Sequence, residues 1–476
     1  MNGRTLTETT IRDVLTMKGD QRTKTDHELF DRIAGFALSD TPEIPEKSLK
    51  WAATLLVDTL GVAAGATDLE SGRIARETAI TLYNTSDPLS AAPILFDGRT
   101  ASMAGAAFAA ASQIDNLDGH DGYNPTRGHI GCAIVPALFA FAHHRPELTG
   151  REALKAMVIA YEFSARAAIA LHATVTDYHT SGAWNALGVA ALGCRMRGRD
   201  KETLRHALGI AEYHGPRSQM MREIDNPSML HDGSGMGAMI GTSALLMAEQ
   251  GFTGAPAITV EAAGVAPHWD DLGSFWTTDL NYIKPYPICR WAHAAIDAVW
   301  HLQQETRFDA ADIAKVTVNT FEEAARLYAG IPESTSQAQY SLPFAVATML
   351  AHGEIGPSHV QLAAFADQTV GQLLPLIDVK ECERHSSRFP LARWSDVTIE
   401  LKDGRVLSSG DIHARGGPEA PMTDSEIRSK FDAMTSDQLT PDRSEKIWNS
   451  AMALVDPDSR LGDLAELVYP APDVRQ

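Results

Sequence analysis

QIDNLDGHDGYNPTRGHIGCAIVP, residues Gln113–Pro136, is the stretch on which the reading of this chain turns. It sets Asp115, Asp118, His120, Asp121, Arg127 and His129 between two apolar runs, Ala101–Ser112 and Ala133–His143. Both runs have the small, apolar composition of buried helices. Gly119, Gly122, Pro125 and Gly128 break the segment between them into turns. The pattern is therefore helix, polar loop, helix. Titratable groups set in apolar surroundings have their pKa values shifted toward working pH, which is the condition for acid–base chemistry. A surface loop rich in Asp and Gly would share this composition.

Working outward, the same helical character continues on both sides. Toward the N-terminus, Pro45–Ala66 has Leu49, Ala52, Leu55, Leu56 and Leu60 at helical spacing. Its last turns, DTLGVAAGA, are small enough for close helix approach. Asp26–Ala37 and Glu70–Leu82 are further helices, and Ser90–Arg99 is a brief extended segment. Toward the C-terminus, Gly150–His172, Ala183–Met196, Lys201–Tyr213 and Gly237–Gln250 are helical, with a Met-rich loop at Gly215–Leu230. No strand–helix–strand alternation appears, so a parallel-sheet domain is not expected. The character changes near Pro267. Lys284-Pro285-Tyr286-Pro287 is a rigid turn. Lys315–Phe321 alternates as a strand, and Asp396–Lys402 and Arg405–Asp411 form a hairpin about Asp403-Gly404. Between them helices are expected at Leu342–His352, Val360–Phe365 and Ile377–Val379. The expected fold is mainly α. It comprises a flexible N-terminal tail (1–24), a large helical domain (25–279), a smaller α+β domain (280–410), and C-terminal helices (411–476) that return to the first domain.

Composition narrows the class of function. Of 476 residues, 44% are hydrophobic and 21% charged, as in ordinary globular chains. A formal charge of −20 argues against nucleic acid or an anionic membrane as partner, and an anionic substrate would need a local basic pocket. Cys132, Cys194, Cys289 and Cys382 are too dispersed for a zinc ribbon or an iron–sulfur ligand run. They suit a reducing compartment, and no secretory apolar segment or membrane-length run is found, so a cytoplasmic location is expected.

Four constellations carry possible chemistry. A carboxylate from Asp115 or Asp118 beside His129 would orient an imidazole as acid or base. A metal site built from His120, His129 and the aspartates matches no common ligand spacing, and none is expected. His179, in YHTSG, precedes a small-residue helix whose N-terminus suits a carboxylate; Thr180 or Ser181 as a simple cap is the alternative. Gly233-Ser234-Gly235-Met236-Gly237 lacks a preceding strand, so it is not a nucleotide loop. It is a tight helix entry that binds an anion or allows close packing. Lys284, Cys289, Arg290 and His293 follow the Pro-rich turn, where a cation suits a carboxylate clamp.

Together, VDTLGVAAGA (57–66), the Asp115–Pro136 stretch, YHTSGAWNALGVAAL (178–192), SMLHDGSGMGAMIGTSALL (228–246), KPYPICRWAHAAIDA (284–298) and AQYSLPFAVA (338–347) resemble the MmgE/PrpD family. That family includes 2-methylcitrate dehydratase, cis-aconitate decarboxylase and iminodisuccinate epimerase. The resemblance implies an all-helical domain with an α+β lid, usually a homodimer, and a site between the two domains. It implies that His129 is the family's loop histidine, that Asp115 or Asp118 is its loop aspartate, and that His179 and Lys284 are catalytic. Cys289 and Arg290 match the Cys-Arg form of the lid motif, whereas the decarboxylase branch has a histidine near the position of Cys289. Ser228 stands near a place where members often carry lysine, while Leu230 and His231 keep the pattern.

The activity expected on this basis is a cofactor-independent lyase, first a hydro-lyase of a citrate-like hydroxy-polycarboxylate. His129 and His179 would share the proton transfers. Substrate would be bound by Lys284, Arg290 and Arg222, with Asp118, Tyr178, His231 and Cys289 around it. An epimerase, a cis-aconitate-type decarboxylase, or a non-catalytic carboxylate-binding protein are the alternatives.

Overall fold

A computed structural model describes residues 24–40 and 42–473, and it is mainly helical. The expected N-terminal tail falls outside these residues except for Lys24. The first part of the chain contributes helices α1 (His27–Leu38), α2 (Glu46–Gly65), α3 (Glu70–Leu82), α4 (Met103–Leu117), α5 (Gly131–Ala142), α6 (Gly150–Thr174), α7 (Gly182–Met196), α8 (Lys201–His214) and α9 (Ser234–Glu249). Local signals start them. The Asp26 carboxylate accepts from Leu29 N–H at 3.1 Å to open α1. Thr149 and Glu152 form a reciprocal capping box at α6.

Small residues set how closely these helices meet. On α9, a Cβ at Gly241 would lie 2.4 Å from the Ala186 carbonyl of α7, so only glycine permits that crossing. Helix α2 is buried along almost its whole length from Ala52 to Gly65 and forms the centre of this part. Among the described residues no single helix is long and apolar enough to cross a membrane. The α2–α3 pair would qualify by length and composition only and is bent by 93°; α2 is buried from Ala52 to Gly65 except at Thr54, whereas Ile74 and Leu82 of α3 are exposed.

The second part is built on a five-stranded sheet. Its strands are β3 (Ile313–Thr320), β4 (Ile377–Glu381), β5 (Trp394–Leu401), β6 (Val406–Ser408) and β7 (Ile412–His413); the earlier β1 (Ala91–Pro93) and β2 (Thr100–Ser102) form a separate small ladder. The order is β4-β3-β5-β6, with β7 also on β5. β3 runs parallel to β4 and antiparallel to β5. The Asp403-Gly404 hairpin forms as expected, with Gly404 at φ 91°. Helices α10 (His293–Glu305) and α11 (Leu342–His352) pack on the sheet. The chain then returns to the first part through α12 (Asp424–Thr435) and α13 (Pro441–Met452) on α2, and α14 (Leu461–Val468) on α5.

Four local expectations need correction. Ile377–Val379 is strand, not helix: Ile377 and Val379 pair with Val316 and Val318 of β3, where their branched side chains fit the pleat. Val360–Phe365 is two short 3₁₀ turns, Pro357–Val360 and Leu362–Ala366. Helix α9 begins at Ser234, three residues earlier than its pattern suggested, because Gly233 takes a left-handed N-cap conformation. The most consequential change is α4, which runs on through Asp115 to Leu117. The polar residues that read as a loop are satisfied inside the core. Gln113 Nε2 donates to Ala63 O at 2.7 Å, and Asn116 Nδ2 donates to Met229 O at 3.1 Å. The loop therefore begins at Asp118, not at Gln113.

Candidate active site

Three helix N-termini in the first part each hold one of the chain's own carboxylates. Asp121 Oδ1 accepts from Gly131 N–H at the start of α5, at 2.9 Å. Asp232 Oδ1 accepts from Ser181 N–H at the start of α7, at 3.1 Å. Asp115 Oδ2 accepts from Ser234 N–H at the start of α9, at 3.0 Å. The free amides and the positive dipole end of each helix stabilise the negative charge. The two helix starts that looked suited to an anion do hold one, but it is internal. Ser181, which looked like a helix cap, uses its hydroxyl on Asp232 instead.

These anchors place His129 with one defined face. Its Nδ1 is 2.6 Å from the Asp121 main-chain oxygen. A carbonyl only accepts, so the imidazole proton sits on Nδ1 and Nε2 carries the lone pair. His129 N–H is fixed by Ser181 Oγ at 2.9 Å, and its carbonyl by Asn185 Nδ2 at 2.9 Å. Burial, with Lys284 and His120 nearby, holds the ring well below its ordinary pKa, so it is neutral and basic at Nε2. Asp232 Oδ2 stands 3.7 Å from that nitrogen. Burial and the nearby Asp115 raise the Asp232 carboxyl to about 6.

Both residues border a cavity lined also by Asp118, Arg127, Tyr178, Met220, Tyr282, Cys289, Arg290, Trp291, Tyr340 and Arg393. Its free space is only about 20 Å³, room for one water. This space is too small for a polycarboxylate in the conformation described. One seal is visible where the two parts meet: Asn124 Nδ2 donates to Leu391 O at 3.2 Å, and the Arg127 guanidinium lies 5.7 Å from the Phe389 ring. Asp118, Arg127 and His231 all have left-handed backbones, at φ 56°, 58° and 46°. Such conformations in residues other than glycine concentrate at functional sites.

The cavity wall is strongly cationic. Arg290 donates to the carbonyls of Arg415 (2.6 Å) and Ala414 (3.1 Å) and lies 4.2 Å from the Tyr282 ring. Arg393 is buried, donates to the Pro390 and Ala392 carbonyls, and lies 4.6 Å from the Phe389 ring. Burial lowers its pKa to about 10, which leaves it charged. Among the described residues neither of these arginines, nor Arg127, makes an ion pair with a carboxylate. Lys284 is different: it is buried in an ion pair with Asp118 and donates to Asp118 O at 2.9 Å. Burial pushes the Asp118 carboxyl up and this ammonium opposes it.

Two side-chain groups here are close enough for a cation: Asp118, His120 and His129, and Asp115, His120 and Cys132. In the first group the Lys284 ammonium already sits on Asp118, so a cation there would face a competing buried positive charge. In the second, Cys132 Sγ bonds Ser234 Oγ at 3.1 Å, and burial holds its thiol far above the range where it ionises. Neither donor set fits a resident metal.

Of the residues singled out from sequence, the structure brings Asp118, His129, Tyr178, Cys289 and Arg290 to the cavity, with Lys284 directly behind Asp118. Asp115 lies behind this layer, with its Oδ1 3.3 Å from His120 Nε2, and burial raises it to about 7. His231 is buried against Tyr340, is lowered to about 3 by burial, and does not line the cavity. His179 also stays outside the lining; its N–H donates to His172 Nε2 at 3.3 Å. Arg222 is exposed on the short helix Met220–Asp225, away from the cavity. The Cys289 thiol is raised to about 12 by burial and the adjacent Asp118, so it is no nucleophile at neutral pH. Sequence reasoning missed Asp232, Arg393 and Tyr282. Asp232 follows His231 directly in the quoted SMLHDG segment and was within reach. Arg393 sits in RFPLARW, which has no feature that singles it out.

Known proteins match the chain along most of its length. The MmgE/PrpD N-terminal domain model matches residues 30–270, and the MmgE/PrpD C-terminal domain model matches residues 286–454. The cis-aconitate decarboxylase-like protein oryM of Aspergillus oryzae is 23% identical over 455 residues, covering 87% of this chain and 91% of that protein. The cis-aconitate decarboxylase of Aspergillus terreus is 22% identical, covering 77% and 80%. That of Mus musculus is 23% identical, covering 83% of each chain.

Proposed function

Since the chain belongs to the MmgE/PrpD family, we propose that it is a lyase of a polycarboxylate, working by proton transfer at a carbon next to a carboxylate. The observation that carries this reading is that Arg127, Arg290 and Arg393 line the same cavity as His129, whose Nδ1 is bonded to Asp121 O and whose Nε2 carries the lone pair. Arg290 and Arg393 are buried and Arg127 half-buried, and cations without carboxylate partners in such a site favour an anion; two or three of them suit more than one carboxylate. His129 Nε2 removes the proton. The negative charge that develops on the adjacent carboxylate is met by the arginines. Asp232, protonated near pH 6, supplies the proton that lets the leaving hydroxyl depart as water. No redox cofactor enters this chemistry. In this reading the sheet-bearing part is a lid that opens at Asn124–Leu391 to admit substrate.

Dehydration of a citrate-like hydroxy acid is the first choice, supported by Cys289 near the position where decarboxylase-type members carry histidine. Decarboxylation is the second, favoured by the names of the relatives above. A homodimer also belongs to this reading. It is supported by exposed apolar side chains at the two ends of α9, Met229, Leu230 and Met236 near its start and Phe252 just past its end; a monomer by light scattering at micromolar concentration would count against it.

Proton NMR of the purified protein in deuterated water, with 2-methylcitrate, citrate, cis-aconitate and iminodisuccinate, tests the activity. An alkene from a hydroxy acid, or deuterium added across a supplied alkene, supports the hydro-lyase. Carbon dioxide release selects the decarboxylase. Deuterium at an alpha carbon without an alkene selects an epimerase. If saturating polycarboxylates neither react nor raise the melting temperature, the reading fails.

A further inference from the structure

We propose that Asp121 and Tyr161 are positioning residues that keep the His129 proton on Nδ1, with the Nε2 lone pair turned to the cavity. The inference rests on the reading of His129 as the base. Neither residue touches the cavity. Asp121 is fully buried and its two ends do different things. Its carboxylate is clamped between Tyr161 Oη, which donates to Oδ2 at 2.5 Å, and Gly131 N–H on Oδ1. Its main-chain oxygen takes the His129 Nδ1 proton at 2.6 Å. The side chain of one loop residue is thus pinned to the far end of the same loop, and that pin aims its carbonyl at the imidazole.

The fit around the clamp is tight. A Cβ on Gly131 would lie 2.4 Å from Tyr161 Oη and 2.6 Å from Asp121 Oδ2, so the helix start must be glycine for the carboxylate to reach it. Tyr161 comes from the middle of α6, a helix outside the loop, and is itself buried. Without the phenol hydroxyl, Asp121 Oδ2 loses its donor and the carboxylate is free to turn. The Asp121 carbonyl then drifts from Nδ1. The competing tautomer, with the proton on Nε2, then gains ground, because the acceptor that held the proton on Nδ1 is no longer in place. The wrong tautomer leaves no lone pair where substrate binds.

The test uses the full chain labelled with ¹⁵N-histidine, with His129 assigned by its loss in His129→Gln. Tyr161→Phe and Asp121→Asn are compared with the parent. The expected parent spectrum shows a protonated Nδ1 and an unprotonated Nε2 for His129. Both variants move it toward a mixture, and kcat falls about tenfold or more with KM nearly unchanged. Should Asp121→Asn fail to fold, Tyr161→Phe carries the test, since it removes one oxygen only. An unaltered His129 tautomer in Tyr161→Phe overturns the inference. A shifted tautomer with turnover unaltered upholds the positioning and instead removes His129 as the base, so the two readings fail separately.

Discussion

Asp232 Oδ2 and His129 Nε2 face each other at 3.7 Å, too far for a hydrogen bond and near enough to share one proton through a substrate. One is a carboxyl raised to about 6, the other a neutral imidazole. Separated pKa values of this kind divide acid and base roles between neighbours. Asp232→Asn is expected to lower kcat by about a hundredfold or more. It should also remove an ionisation near pH 6 from the kcat/KM profile. An unchanged profile in that variant would exclude Asp232 from the proton transfers.

Asp115 links the site to stability. Burial raises its carboxyl to about 7 in the folded chain, above the model-peptide value of about 3.9. The folded state therefore holds the proton more tightly than the unfolded state. Its contribution is fully present below pH 4 and is lost as pH rises through about 7, an effect of up to roughly 4 kcal/mol. Asp115→Asn keeps an acceptor for Ser234 N–H and does not ionise. Calorimetry at pH 4.5 and 7.5 should show a smaller fall in Tm for this variant than for the parent; equal falls would contradict the assignment.

The arginines should act on substrate binding more than on folding. Arg393→Gln removes a charge that no carboxylate of the described chain pairs with. KM for a polycarboxylate substrate is expected to rise by about tenfold or more, with Tm little changed. Steady-state kinetics and a melting curve on one preparation check both. A normal KM would place the substrate's carboxylates elsewhere.

Lys430 ties the C-terminal helices to the site loop. Its ammonium lies 2.6 Å from Asp58 on α2 and donates to the Gly119 carbonyl at 2.7 Å, all within the core. Lys430→Met strands the Asp58 charge and should cost about 3–5 kcal/mol. Adding Asp58→Asn should restore part of that loss. Denaturant titration of both single variants and the double variant measures it, and additive losses would show that the pair is not coupled.

How much of the site could be read in advance depends on what each residue signals locally. His129, Asp118 and Lys284 stand out as polar groups among glycines, prolines and small apolar residues, and the structure gathers them. Asp115 read as part of a loop because a buried carboxylate in a helix is legible only once the amide that satisfies it, Ser234 N–H, is known. Ile377–Val379 read as helix because three apolar residues have no usable period, and only pairing with β3 makes them a strand.

The mainly helical class, the hairpin at Asp403-Gly404 and the polar loop between two buried helices were settled by local pattern, since periodicity, turn chemistry and apolar flanks act over a few residues. What each carboxylate does was not. Asp121, Asp232 and Asp115 look alike in sequence, and their partners come from helices that start up to 119 residues away. Arg393 reaches the cavity from the other part of the chain, 264 residues beyond His129 in numbering. Burial, helix-end amides and neighbouring charge decide whether a carboxyl is a base, an acid or a brace, and those exist only once the chain has folded.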